Sequence, residues 1–127
     1  MTIRILLILV CFHLCKSLAA QKIVILGTAQ DGGYPHIGCN NECCQRAWQN
    51  GLHENVVSFA CLDSAQKTWW LFEASPDITA QLKLFQKLTD SAYSYLPAGI
   101  FITHAHIGHY TGLMYLGKEA LNAKELP

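Results

Sequence analysis

The sequence predicts an α/β fold of layered type, and three observations carry that prediction. Short apolar runs rich in β-branched and aromatic residues, Lys22 to Gly27, Val56 to Leu62, Thr68 to Phe72 and Gly99 to Thr103, are bounded by glycine or turn residues. Between them lie segments whose apolar residues recur at helical spacing. The resulting order β, loop, α, β, β, α, β, loop, α places helices on a sheet and excludes a helical bundle.

The first segment, MTIRILLILVCFHLCKSLAA, has Arg4, an apolar run from Ile5 to Leu14, and small residues at its end. These are the parts of a secretory signal peptide, predicted over residues 1–20, and the run is too short for the roughly 20 residues of a membrane-spanning helix. Export to the periplasm or the exterior is expected, with no stable membrane span. Of the 127 residues, 51% are apolar and 14% charged, with nine Lys and Arg against nine Asp and Glu. One domain's core can be filled, and a disordered chain is excluded. Without Arg4 and Lys16 the remainder is slightly acidic, which argues against nucleic acid and leaves a small-molecule substrate as the expected partner. Oligomeric state is not legible.

Lys22 to Gly27 reads as a strand buried on both faces. The loop from Thr28 to Asn40 carries Gly32, Gly33, Pro35 and Gly38, so it must turn more than once. Asp31 and His36 in this loop are candidates for binding substrate, although an aspartate before Gly-Gly also commonly stabilises its own turn. Asn40 or Asn41 can cap a helix through Cys43, Cys44 and Trp48 that stops at Gly51. Val56 to Leu62 and Thr68 to Phe72 flank a turn and predict an antiparallel hairpin, with Trp69 and Trp70 on opposite faces. Ser75 as N-cap and Pro76 as first residue open a helix that includes Ile78, Leu82 and Phe85. Gly99 to Thr103 reads as a further buried strand, and Tyr110 to Leu121 as a helix. The chain then ends where this alternation calls for another strand, which suggests truncation and a fragment that is inactive and poorly stable by itself.

Three of the six histidines fall between Ile102 and Leu113, in Ile102-Thr103-His104-Ala105-His106-Ile107-Gly108-His109-Tyr110-Thr111-Gly112-Leu113. In an extended segment His104 and His106 share one side, so one ion can bridge them, and His109 can approach from a second direction past a turn at Gly108. Neutral imidazole is a common zinc ligand. Cys39, Cys43 and Cys44 form a tight trio with the look of metal ligation, although adjacent Cys43 and Cys44 would need a distorted turn to grip one ion. A disulfide, Cys39 to Cys43 or either to Cys61, and free thiols stay open as alternatives. Cys61 itself reads as a small core residue.

With Thr103, His104, His106, His109, Gly112 and Leu113 in this order, the chain resembles the metallo-β-lactamase fold of metal-dependent hydrolases. The signature of that fold is Thr-His-x-His-x-Asp-His after a core strand. The opening Gly27-Thr28-Ala29-Gln30-Asp31-Gly32-Gly33, then Pro35, Gly38-Cys39 and Phe72-Glu73-Ala74-Ser75-Pro76-Asp77, is similar to the branch containing coenzyme PQQ synthesis protein B and phosphonate-pathway phosphodiesterases. The resemblance implies the N-terminal half of an αββα sandwich over residues 21–127, and zinc-activated water attacking an ester or phosphodiester.

It also implies that His104 and His106 bind one metal, with His109 as a further ligand and catalytic residue. The signature's aspartate is Gly108 here, so a single ion is expected, with remaining ligands beyond Pro127. Relatives hold a structural zinc through Cys-x-Cys-x-x-Cys and a distant histidine. Here Cys39 and Cys44 stand at the outer positions, Asn41 replaces the middle cysteine, and Cys43 is added. Asp77 is a candidate to orient a ligand histidine, or a favourable charge at a helix start. The alternative function is a non-hydrolytic accessory or binding protein related to coenzyme PQQ synthesis protein B, which Gly108 favours and the retained histidines oppose.

Overall fold

The computed structural model describes residues 21–127. The predicted signal peptide lies outside the described residues. A four-stranded sheet runs in the order β1 (Gln21–Gly27), β2 (Ser58–Asp63), β3 (Thr68–Phe72) and β4 (Ile100–Phe101). The first two pairings are antiparallel, and β3 pairs with β4 in parallel. The helices are α1 (Glu42–Asn50), α2 (Ile78–Leu88) and the short α3 (Ile107–Tyr110), which runs into a 3-10 helix at Thr111–Leu116. The mixed α/β class is the predicted one.

Strand periodicity of two explains the layering. Ala60 faces Leu71 and Leu62 faces Trp69 across the β2–β3 pair, and these four side chains are buried with Leu26 of β1. Helix α2 closes this face with Ile78, Leu82 and Phe85 at helical spacing. Trp69 stacks on Phe85 with centroids 3.9 Å apart, and its indole N–H donates to Ser94 O at 2.9 Å. Pairing the only polar atom of the ring is what allows so large a side chain to be fully buried.

The alternate residues form the opposite face, where Phe72 stacks between Phe59 and Phe101 at 4.5 and 4.9 Å. Ile23 and Ile25 extend this face and are 65% and 55% exposed. The expectation that β1 is buried on both faces is therefore corrected: β1 is an edge strand, and only one of its faces meets a helix. Cys61 likewise pairs with Ile23 and Trp70 on this second face rather than entering the core. The two tryptophans do point to opposite faces, as expected.

Helix α1 ends as predicted at Gly51, in the left-handed conformation (φ 63°), where Leu52 N–H returns to Ala47 O at 2.9 Å. Three other boundaries differ. Helix α2 starts at Ile78, because Ser75 Oγ accepts the Asp77 N–H and bonds to Gln81, which holds the Ser75-Pro76-Asp77 stretch as a turn ahead of the helix. Strand β4 has two residues, with Phe101 52% exposed, so it is short as expected but not buried. The helix expected over Tyr110 to Leu121 is replaced by α3 and the 3-10 helix. Gly112 N–H donates to Ala74 O at 2.8 Å, and a side chain at Gly112 would strike the backbone of Ala74 and Ser75, so this turn is fixed by a neighbour instead of by an α-helical ladder. Among the described residues no helix is long and apolar enough to cross a membrane.

Trp69→Ala is expected to destabilise the protein by about 3–5 kcal/mol in urea unfolding, because it empties the α2 side of the sheet. Trp70→Ala, on the half-exposed face, is expected to have less than half that effect.

Candidate functional site

The site forms where β3 and β4 end side by side. Glu73 N–H donates to Phe101 O at 2.9 Å, Ala74 N–H to His109 O at 2.8 Å, and Ser58 Oγ lies 3.0 Å from both Phe72 O and Glu73 O. These bonds tie the end of β3 to β4, α3 and the 3-10 helix. They hold Glu73, at φ 69°, in a backbone region that a non-glycine residue occupies at a cost of about 1–3 kcal/mol.

That conformation turns the Glu73 side chain inward, where it is 4% exposed. Its carboxylate accepts the Thr103 N–H at 3.3 and 3.4 Å and lies 3.2 Å from His109 Nδ1. The other ring nitrogen, His109 Nε2, lies 3.2 Å from Asp31 Oδ1. His109 thus sits between a buried and a half-buried carboxylate. His104 Nε2 and His106 Nδ1 are 3.1 Å apart, and the His104 ring centroid is 4.0 Å from that of His109. The three predicted histidines are brought together, two from the extended segment after β4 and the third from α3.

Metal donors are present in kind: three imidazoles, and a carboxylate behind one of them in the manner of a metal-ligand histidine. His109 Nδ1 is buried without a hydrogen bond of good geometry, the condition of a ring whose proton and orientation a bound cation would settle. Zinc, which takes nitrogen and oxygen donors, fits this set.

The remaining sequence candidates divide. Asp31 reaches His109, and its turn is closed by Gly33 N–H donating to Gln30 O at 2.7 Å. His36 is exposed, folds over Gly32 and lies 2.9 Å from Ile37 O through Nδ1. Asp77 accepts the Val56 N–H at 2.8 Å and lies 3.6 Å from His53, so the carboxylates beside the motif histidines are those of Glu73 and Asp31 and not that of Asp77. Asp77 also occupies the N-cap position of α2 without a side-chain capping bond. Asp31 and Asp77 face a cleft of about 220 Å³ lined also by Trp48, His53, Val56 and Pro76. Glu73 is the residue that sequence reasoning did not single out. Its signal is an acid directly after a buried strand that leads into Ala-Ser-Pro.

Among the described residues, the Sγ atoms of Cys39, Cys43 and Cys44 lie within 4.8 Å of one another, and all four described cysteines are free thiols. Cys43 and Cys44 both sit in the first turn of α1, and Cys39 meets them from the loop. Cys39 is held below the usual thiol range by a hydrogen bond with Cys44 and then by the backbone at Asn41. Cys44 is pushed up to about 11, chiefly by its bond with Cys39. The hydrogen bond between them thus favours the thiol form of Cys44, whose proton a thiophilic cation would displace.

No protein-family model matches the chain. It is 36% identical over 104 residues to coenzyme PQQ synthesis protein B of Ectopseudomonas mendocina, which covers 76% of this chain and 33% of the relative. To the protein of the same name in Stutzerimonas stutzeri it is 37% identical over 104 residues, with 76% and 33% covered. The crystal structure of Zn(2+)-bound PqqB from Methylobacterium extorquens superposes with a TM-score of 0.62 at 25% identity, covering 80% of this chain and 35% of that one. A diphosphatase of the PhnP family superposes with a TM-score of 0.56 at 22% identity, covering 76% and 34%. The chain spans about a third of the length of the curated relatives it matches.

Zinc affinity of the cysteine cluster is expected to rise with pH, because a thiol such as that of Cys44 must lose its proton to bind the ion. Each proton released strengthens binding about tenfold per pH unit, measurable by chelator competition between about pH 6 and pH 8. A flat profile would mean that the thiols are not the ligands.

Proposed function

We propose that this chain, which carries the metallo-β-lactamase fold and resembles the branch of coenzyme PQQ synthesis protein B, belongs to a zinc-dependent hydrolase of esters or phosphodiesters. The observation that carries the reading is the clustering of the His104, His106 and His109 rings, the last of them against the buried Glu73 carboxylate. A loop histidine with no function has no need of a carboxylate held at 4% exposure in a strained backbone.

In this reading His104, His106 and His109 hold zinc. Bound zinc supplies a water of pKa near 7 and a polarised substrate oxygen. The chain's own residues position those ligands. Glu73 lies 3.2 Å from His109 Nδ1, where it would favour Nε2 as the metal donor, and its carboxylate accepts the Thr103 N–H at the start of the histidine segment. The cleft between Asp31 and Asp77 lies beside this edge and is the proposed entry for a small substrate, with His36 at the rim of its loop. Cys39, Cys43 and Cys44 are proposed to hold a second, structural zinc that fixes the first loop to α1. Export rests on the sequence of residues 1–20 alone. Gly108 favours a second reading, an accessory or binding protein that keeps the fold without hydrolysis.

Elemental analysis, and assay on a chain of the full length of the curated relatives, separate these. His104→Ala/His106→Ala is expected to lose about one zinc per chain and all hydrolysis of a chromogenic phosphodiester, while Cys39→Ala/Cys44→Ala loses the other ion. Zinc that depends only on the cysteines would sink the hydrolase reading, and zinc at the histidines without turnover of any ester would favour the binding protein. Glu73→Gln is expected to weaken zinc at the histidines about 10- to 100-fold in competition titrations.

A further inference from the structure

Gly108 is buried in α3 and its φ is not positive, so the position does not need glycine for backbone freedom. It needs glycine for space. A Cβ placed there would lie 2.6 Å from Asp31 Cα and 2.9 Å from both Asp31 Cβ and Cγ. The volume that a side chain at 108 would enter is already filled by residue 31, first by its backbone Cα and then by the Cβ and Cγ of its aspartate side chain.

That aspartate is directed at the histidines. Asp31 Oδ1 lies 3.2 Å from His109 Nε2, on the side of the ring opposite Glu73. Its side chain is 35% exposed against 5% for Glu73, so one carboxylate of the pair is open to an incoming ion and the other is not. Its turn is closed by a backbone bond, which leaves the carboxylate uncommitted.

We propose that Asp31 supplies, from the first loop, the carboxylate that the histidine motif lacks at Gly108, so that Asp31 and His109 bind a divalent cation of zinc type beside His104 and His106. This rests on the zinc reading of the histidine centre. Glycine at 108 is then half of an exchange, with the acid moved to a different segment. The site keeps donors for two ions, contrary to the single ion that the motif alone implies.

Cobalt(II) titration of the purified protein tests this, because thiolate charge-transfer absorption reports the cysteine cluster separately from the weaker visible bands of nitrogen and oxygen ligands. Asp31→Asn keeps the size and turn preference of the residue. It is expected to raise the apparent Kd of the histidine centre about tenfold or more with the thiolate band unchanged. Gly108→Asp alone is expected to bring no gain and to lower the Tm, since its side chain meets Asp31. Wild-type affinity in Asp31→Asn overturns the role of Asp31. If His109→Ala also leaves the visible bands unchanged, the zinc reading falls and this inference falls with it. If His109→Ala abolishes them and Asp31→Asn does not, only the role of Asp31 is lost.

Discussion

The buried carboxylate of Glu73 is the constraint around which the rest is arranged. A carboxylate removed from water costs several kcal/mol unless polar partners surround it, and here the Thr103 N–H donates to it while the His109 ring lies 3.2 Å away. Holding them in reach requires β4 beside β3, the histidine segment folded back over the strand ends, and α3 pinned through Ala74 and Gly112. The same few residues therefore end the sheet, start the site and convert the expected long helix into a 3-10 turn.

The first loop is the second organising element. Near one end Asp31 reaches His109, and near the other Cys39 meets Cys43 and Cys44 on α1. Backbone bonds from Thr28 and Ala29 to Asn55 O, and from Glu54 to Tyr34 O, hold the stretch between against the segment before β2. A loop anchored in this way places two donor clusters with a precision that a free loop would not have, and couples the geometry of one to that of the other.

The histidines, the cysteines and the hairpin were legible because each is a local pattern: a strand followed by His-x-His, three thiols in one short stretch, and two β-branched or aromatic runs about a turn. Trp69 and Trp70 were assigned to opposite faces by the period of a strand alone. What was not legible depends on partners distant in sequence. β1 has the composition of a central strand and becomes an edge, since composition does not say how many faces are covered. Gly108 reads as a turn residue until Asp31 is seen filling its space. Asp77 and Glu73 stand four positions apart with similar chemistry, and only the left-handed backbone at Glu73 sends that acid to the histidines while Asp77 goes to Val56.

The left-handed conformation of Glu73 also carries an evolutionary consequence. Glycine would adopt it without strain, so selection for stability alone draws position 73 toward glycine, whereas selection for the histidine centre holds it at glutamate. In the proposed reading, the glutamate present is the residue that the histidine centre calls for. A relative with glycine there would have exchanged the ring's partner for an unstrained strand end, and position 73, more directly than the histidines themselves, would tell a lineage that still uses the centre from one that has kept only the fold.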